Sequence, residues 1–261
     1  MNAIDAYRRT LTSRGAEPTA WWYLGTTTFA AEGHPEIIVN HVETVMLYRA
    51  EPLDAGDPAD GAFRVPWWEI GVFRDAITGE VAGDWTNPLT GETLAGARTF
   101  EEGPSGYTIR PDGAGGNGGV ILTDAIQAFA ALDKATITVA ETDGRVCVTQ
   151  IEEKVRSFPA REGIPDLDQG QGTRSRTVLQ WFADAADLAG DAPSVPSTGV
   201  YSFTIGAPPW LGMGERPGIF SVKGLMHKAP LDTPLNPRGW ADLKRLFPRY
   251  FDGDTILPRW T

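Results

Sequence analysis

The chain has 261 residues, nine tryptophans, a hydrophobic content of 41% and a formal net charge of −11. That much apolar material supports a sizeable core and excludes wholesale disorder, while the negative charge, with no basic stripe to reverse it locally, argues against nucleic-acid and anionic-membrane partners. Thirty glycines and twenty prolines punctuate short apolar runs along the whole length, which leaves little room for long helices and predicts a mostly β, antiparallel chain. All-β barrels of this size often form one unit, so a single domain over 1–261 is expected.

In chain order, residues 3–13 suit a short helix with Ile4, Tyr7 and Leu11 on one side. Thr19–Ala31 and Glu36–Arg49 then read as the arms of a hairpin around Glu32-Gly-His-Pro35. After an acidic, proline-bearing loop over 51–61, Ala62–Phe73 is a third strand in which Trp67 and Trp68 are neighbours and must therefore point to opposite faces. The echo Thr78-Gly-Glu80 and Thr90-Gly-Glu92 reads as two tight turns. The glycine-rich run Asp112–Gly119 has too little side chain to pack and is expected to be a loop or lid; it lacks the strand-to-helix setting of a phosphate loop. Asp143-Gly144 is a strong hairpin signal joining Ala135–Thr142 to Arg145–Lys154. Strands follow at Thr177–Phe182, Val200–Ile205 and Gly218–Leu225. A helix starts at Asn236-Pro237, carries Trp240, Leu243 and Phe247 on one face, and stops at Pro248. It is expected to plug or flank a barrel.

No apolar run approaches the ~20 residues of a membrane span, and the first ten residues lack the apolar stretch of an export signal. The single cysteine, Cys147, cannot form an internal disulfide and is expected to pack in the core. A cytoplasmic location is the resulting expectation.

Three polar residues stand out as candidate acid–base groups. His41 and Glu43 are two apart on one strand and share a face, so that together inside an apolar barrel they would have perturbed proton affinities; a buried polar pair with purely structural partners is the competing reading. If Tyr23 and Trp21, two apart on one strand, share the inner face, Tyr23 can hold a carbonyl or act as a general acid while Trp21 stacks on the ligand. No metal site is expected, because His34 and His227 sit in loop-like surroundings and no ligand spacing recurs. Serine-hydrolase chemistry lacks its GxSxG turn.

Four stretches taken together, Trp21-Trp-Tyr-Leu-Gly25, Glu69-Ile-Gly-Val-Phe-Arg-Asp75 with Thr78-Gly-Glu80, Asp84-Trp-Thr-Asn-Pro-Leu-Thr-Gly-Glu92, and Trp210-Leu-Gly-Met-Gly214 with Gly218, span most of the chain. In this order they resemble the domain-of-unknown-function 1838 family of bacteria and fungi. That resemblance carries no catalytic residue with it. It implies that Trp22, Tyr23, Trp85, Asn87, Pro88 and Trp210 form a common framework or pocket wall, and that members are commonly exported by twin-arginine leaders, which this sequence does not show. Asn87 before Pro88 equally suits a turn.

The expectation is an antiparallel β-barrel of calycin or lipocalin type, as one barrel or two packed sheets, with a helix near each end of the chain. The leading function is a cofactor-independent enzyme of secondary metabolism or catabolism that binds a small hydrophobic or aromatic molecule and catalyses isomerisation, cyclisation, hydration or dehydration. Tyr23, His41 and Glu43 would move protons, and Trp21, Trp22, Trp67, Trp85, Asn87 and Trp210 would hold the ligand. A non-catalytic carrier using the same cavity is the alternative; a homodimer is compatible with either.

Overall fold

The computed structural model describes residues 2–52, 62–111, 120–126, 130–156, 173–207, 211–213, 218–229, 231, 236–257 and 260. The chain forms α1 (Ala3–Leu11), β1 (Thr19–Ala31), β2 (Ile37–Tyr48), β3 (Glu51–Pro52), β4 (Phe63–Arg74), β5 (Trp85–Thr86), β6 (Thr93–Leu94), β7 (Thr99–Pro111), β8 (Val120–Ile126), β9 (Ala130–Thr142), β10 (Arg145–Arg156), β11 (Thr173–Asp184), α2 (Ala185–Ala189), β12 (Thr198–Gly206), β13 (Gly218–Ala229), α3 (Pro237–Leu246), a 3-10 turn at Pro248–Tyr250, β14 (Phe251–Asp252) and β15 (Thr255–Ile256). The long strands lie in one sheet in the order β2-β1-β13-β12-β11-β10-β9-β8-β7-β4-β3, and β2 also pairs with β4. The ladders are antiparallel and lead from strand to strand back to β2, giving a barrel-like mostly β fold; β8 and β9 are registered by Val120 opposite Ile137.

Alternation assigns the two faces of this wall. On β1, Trp21 and Tyr23 join the inner core with Val42 and Met46 of β2 and Trp67 of β4, while Ala20 and Trp22 belong to an outer cluster with Val45, Leu47, Trp68, Ile70 and Val72. Period-2 alternation thus separates each tryptophan pair into one inner and one outer member, as expected for 67 and 68. The interior is graded along its length. On β10 the inward series runs Val146, Val148, Gln150, Glu152, Lys154, and on β11 it runs Ala183, Trp181, Leu179, Thr177, Ser175. Because Glu152 lies opposite Thr177 and Lys154 opposite Ser175, the polar halves coincide.

The apolar end is stopped by α1. The Asn2 side chain accepts from the backbone N–H of Ile4 at 2.9 Å and so caps the helix, and Ile4, Tyr7 and Leu11 turn into the core as their spacing predicts. Tyr7 meets Trp181 edge-on with ring centres 5.7 Å apart, and the Trp21 indole donates to the Leu11 carbonyl at 2.8 Å. The Lys228 ammonium donates to the carbonyls of Arg9, Thr10 and Thr12 at 2.7, 3.0 and 2.7 Å, satisfying acceptors that the helix end leaves unpaired. Arg9 reaches on to the carbonyls of Asp187, Leu188, Gly190 and Ala192 and ties α2 to the plug.

At the other end, Phe29, Ile205 and Phe220 pack under Leu211 and Met213, with Trp85 and Leu89 of the β5–β6 hairpin laid over them. The C-terminal helix does not plug the barrel. Trp240 and Leu243 of α3 and Phe247 at its C-terminal cap pack on the outer cluster, with Trp240 5.9 Å from Trp22 and Tyr250 of the 3-10 turn 4.6 Å from Trp68. The plugging role belongs to the N-terminal helix.

Strands β7 and β8 and helix α2 are absent from the sequence reading. In β7 the run Gly103-Pro104-Ser-Gly106 imitates a turn, yet it is a bulge: the β4–β7 register shifts between Trp67 and Glu69, and Gly103 has φ +96°. Cys147 lies between the inward Val146 and Val148, half-buried on the outer face and not in the core. The expected glycine-rich loop at 112–119 lies outside the described residues.

Candidate functional site

Inside the wall is a cavity with two lobes. One, of about 200 Å³, is lined by Tyr23, Phe73, Phe100, Tyr201, Phe203 and Val222 among others. The second, of about 80 Å³, extends toward Trp67, Tyr107, Gln150, Glu152, Lys154 and Trp181. Met46, Glu69, Glu102 and Tyr201 border both. A cavity of ~150 Å³ takes a benzene ring, so the larger lobe has room for a single-ring molecule.

Glu69 of β4 and Glu102 of β7 face each other in the ladder and both border the cavity. Burial, reinforced by the Glu102 carboxylate, pushes the Glu69 carboxyl up to about 8, with Thr44 acting in the opposite direction. Near neutral pH Glu69 therefore holds its proton. Across the lumen, Tyr7 donates to Gln150 at 2.7 Å and lies 3.3 Å from the Tyr107 hydroxyl; Gln150 contacts Glu152, which pairs with Lys154 at 2.5 Å. Burial raises the proton affinity of Tyr7, Tyr48 and Tyr107, so these phenols stay neutral.

Tyr23 lies on the inner face with Trp21. Its ring meets Tyr201 at 5.3 Å and 70°, and it lies over Gly25 and Gly224, which face each other across β1 and β13. A Cβ at either glycine would collide with it. The Tyr23 hydroxyl is 3% exposed as a residue and has no hydrogen-bond partner among the described residues, and burial keeps it protonated. A buried phenol left unsatisfied is unfavourable unless something else completes it.

His41 and Glu43 do share a face, but it is the outer one. The bulge in β2 at Val39 leaves Val42, Thr44 and Met46 pointing inward, so the expectation that the pair meets inside the barrel does not hold. The Glu43 carboxylate is 2% exposed and clamps α3: Arg74 donates to its Oε2 from Nε at 2.8 Å, with Nη2 in ion-pair contact at 2.8 Å, and Asn236 donates to its Oε1 at 2.6 Å. Arg74 also pairs with Asp242 of α3 at 2.9 Å. Burial pushes the Glu43 carboxyl up, and Arg74 and Asn236 pull it back without cancelling the rise. His41 has its Nδ1 3.0 Å from the Thr26 hydroxyl and borders an outer cleft with Glu43, Arg74, Lys223 and Arg238.

The aromatic candidates divide in the same way. Trp67 lines the cavity. Trp21 is packed beneath the plug and Trp22 against α3. Trp85 covers the capped end, and Trp210 lies outside the described residues. Asn87 is a tether: fully buried, it donates to the Leu211 carbonyl at 2.8 Å and contacts the Met213 sulfur at 3.1 Å, while its Oδ1 accepts from Leu89 N–H at 2.8 Å. The turn reading of this residue holds through the Leu89 bond, and Asn87 borders neither lobe of the cavity.

Glu69, Glu102, Glu152 and Lys154 were not singled out from the sequence. For β10 the signal was present, since Gln150, Glu152 and Lys154 continue the inward period of Val146 and Val148. Glu69 stands in the quoted run Glu69–Asp75, two residues from Trp67 and so on the same inward face of β4.

Among the described residues no three histidine, cysteine or acidic side chains assemble as metal ligands, and no helix is long and apolar enough to cross a membrane. Of the solved structures, the outer membrane enzyme PagL is similar at 12% identity, over 80% of this chain and 99% of that one, with a TM-score of 0.27, a likeness too loose to bear on fold or function. No family model and no curated protein matches the chain.

Proposed function

We propose that the chain is a cofactor-independent enzyme that binds a small, largely apolar molecule inside the barrel and transfers a proton on it, by isomerisation, cyclisation, hydration or dehydration. The observation that carries this reading is Glu69, a carboxyl with no cationic neighbour among the described residues, bordering a cavity walled by aromatic rings. Glu69 would be the acid near neutral pH and the base once ionised, and Tyr23 would hold the polar atom of the substrate. This assigns the acid–base role to Glu69 in place of His41 and Glu43. The lobe volumes favour one ring over a polycyclic skeleton.

A carrier protein is the second reading, favoured by a cavity stopped at one end by α1 and at the other by the β5–β6 hairpin. Trp67 and Trp181 border the cavity, so quenching of tryptophan fluorescence reports binding of single-ring probes. Proton exchange into a bound probe in deuterated water, followed by NMR, reports the chemistry. The enzyme reading expects exchange that Glu69→Gln abolishes while binding persists; binding without exchange in the parent chain would overturn it in favour of the carrier.

A further inference from the structure

Two neighbouring hydroxyls on the inner wall have no hydrogen-bond partner among the described residues. Tyr23 of β1 and Thr44 of β2 stand opposite each other in the β1–β2 ladder, both border the larger lobe, and they are 3% and 1% exposed. The oxygen of each is buried and unpaired. Thr44 stands beside Glu69 and lowers its proton affinity, yet its hydroxyl completes no hydrogen bond. Buried polar atoms are almost always bonded, so two open ones on adjacent strands, bordering one space, mark the place of a missing polar atom. Val42, Met46, Phe73, Phe100 and Val222 around them supply an apolar wall.

We infer that the interior site takes a carbonyl compound, a ketone or aldehyde on a single-ring body, whose oxygen accepts from both Tyr23 and Thr44 while the ring lies against the phenylalanines. The inference deepens the reading of the barrel interior as the ligand site, rests on it, and is independent of whether turnover follows. A phenolic O–H is a strong donor and a weak acceptor, because its lone pair is shared with the ring, and burial keeps the Tyr23 proton in place. A threonine hydroxyl donates as readily as it accepts. A carbonyl oxygen has two lone pairs in its plane, one for each donor. An alcohol oxygen accepting from both would still need an acceptor for its own hydrogen, and a hydrocarbon would leave both hydroxyls open.

A consequence for the unliganded chain separates this role from a structural one. Removing a polar atom that has no partner relieves a desolvation cost, whereas removing one that is bonded strands its partner. Tyr23→Phe and Thr44→Val keep nearly the same shape and delete only the oxygens, so neither should weaken the empty barrel, and each should weaken its hold on a carbonyl.

Ethylbenzene, acetophenone and 1-phenylethanol share one carbon skeleton and differ at one position, so each variant is compared across the three by quenching of tryptophan fluorescence. Tyr23→Phe and Thr44→Val should each weaken acetophenone about three- to tenfold, the worth of one neutral hydrogen bond, and change ethylbenzene by less than about twofold. The urea midpoint of each unliganded variant should equal or exceed that of the parent. Infrared spectra of acetophenone labelled at its carbonyl carbon should show the bound stretch below its frequency in an apolar solvent, and each variant should move it part of the way back. Equal weakening of acetophenone and ethylbenzene, greater sensitivity of 1-phenylethanol than of acetophenone to both variants, an unshifted carbonyl stretch, or a lowered urea midpoint for either variant would overturn the inference while leaving the interior site standing. If none of the three probes quenches Trp67 and Trp181, the interior-site reading falls, and this inference with it.

Discussion

Replacing Glu43 with alanine removes the acceptor of two charge-assisted hydrogen bonds, one from Arg74 Nε at 2.8 Å and one from Asn236 at 2.6 Å, and the ion-pair partner of Arg74 Nη2 at 2.8 Å. Each such bond contributes ~1.5–3 kcal/mol in isolation, and breaking a buried ion pair typically costs about 3–5 kcal/mol because the remaining charge is stranded. Arg74 is not fully stranded here, since Asp242 still holds its Nη1 at 2.9 Å and the Gly79 carbonyl lies at 3.4 Å. The lower end of that range, about 3 kcal/mol, is therefore expected. Urea unfolding followed by circular dichroism should show a lower midpoint at an unchanged slope. A double-mutant cycle with Arg74→Ala should return a coupling of ~1–3 kcal/mol. Because Glu43 lies outside the barrel wall, binding of single-ring probes in the interior should change by less than about twofold at temperatures where the variant is folded. A loss below ~1 kcal/mol, or loss of probe binding in a variant of undiminished stability, would refute the assignment of Glu43 as the α3 clamp.

Glu69 gives stability a pH dependence of known sign. Its carboxyl is raised from 4.5 to about 8 in the folded chain, so the folded state holds the extra proton between those values, and this contribution, full below pH 4.5, is lost as pH rises through 8. Glu69→Gln should flatten that decline and exceed the parent in stability by roughly 2–4 kcal/mol at pH 9, read from denaturant midpoints across pH; an unchanged slope would contradict a desolvated Glu69 carboxyl. Asn87→Ala should lower stability by about 2 kcal/mol and, by loosening the tether to Leu211 and Met213, speed probe uptake severalfold in stopped-flow fluorescence; unaltered uptake would show that the β5–β6 end is not the way in. Gly25→Ala places a methyl group against the Tyr23 hydroxyl and should cost about 1–3 kcal/mol, partly recovered in Gly25→Ala/Tyr23→Phe, whereas strictly additive losses would deny the contact. Lys228→Met leaves the carbonyls of Arg9, Thr10 and Thr12 without their donor and should raise amide exchange across α1 above that of the β1–β2 ladder; equal protection would refute its role in seating the plug.

Local rules carried much of the fold. Alternation and turn chemistry placed β1 over Thr19–Ala31 and the β9–β10 hairpin at Asp143-Gly144, because a strand's period and a left-handed turn residue, here Asp143 at φ 51° and Gly144 at 73°, are written in a few consecutive residues. Capping chemistry likewise placed α3, where the Asn236 side chain accepts from the N–H groups of Arg238 and Gly239 at 3.1 and 3.4 Å.

The site was legible only in part. Trp67 and Trp68 could be read as taking opposite faces, Trp21 and Tyr23 as sharing one, and His41 and Glu43 as sharing one. Which face that was could not be read, because inside and outside are both apolar here: the outer surface of β2 and β4 carries Val45, Leu47, Trp68, Ile70 and Val72 to meet α3. A one-residue bulge at Val39 and another opposite Trp67 shift the register, and each inverts the assignment of every residue beyond it. The sequence by itself determined most of the long strands, though not β7 or β8, their alternation and the two amphipathic helices α1 and α3, since these depend on neighbours within a few positions. Tertiary structure alone decided that α1 stops the barrel, that α3 covers its outside with Glu43 as clamp, and that Glu69 and Glu102 meet across a ladder, because each depends on residues far apart in the chain being brought into register.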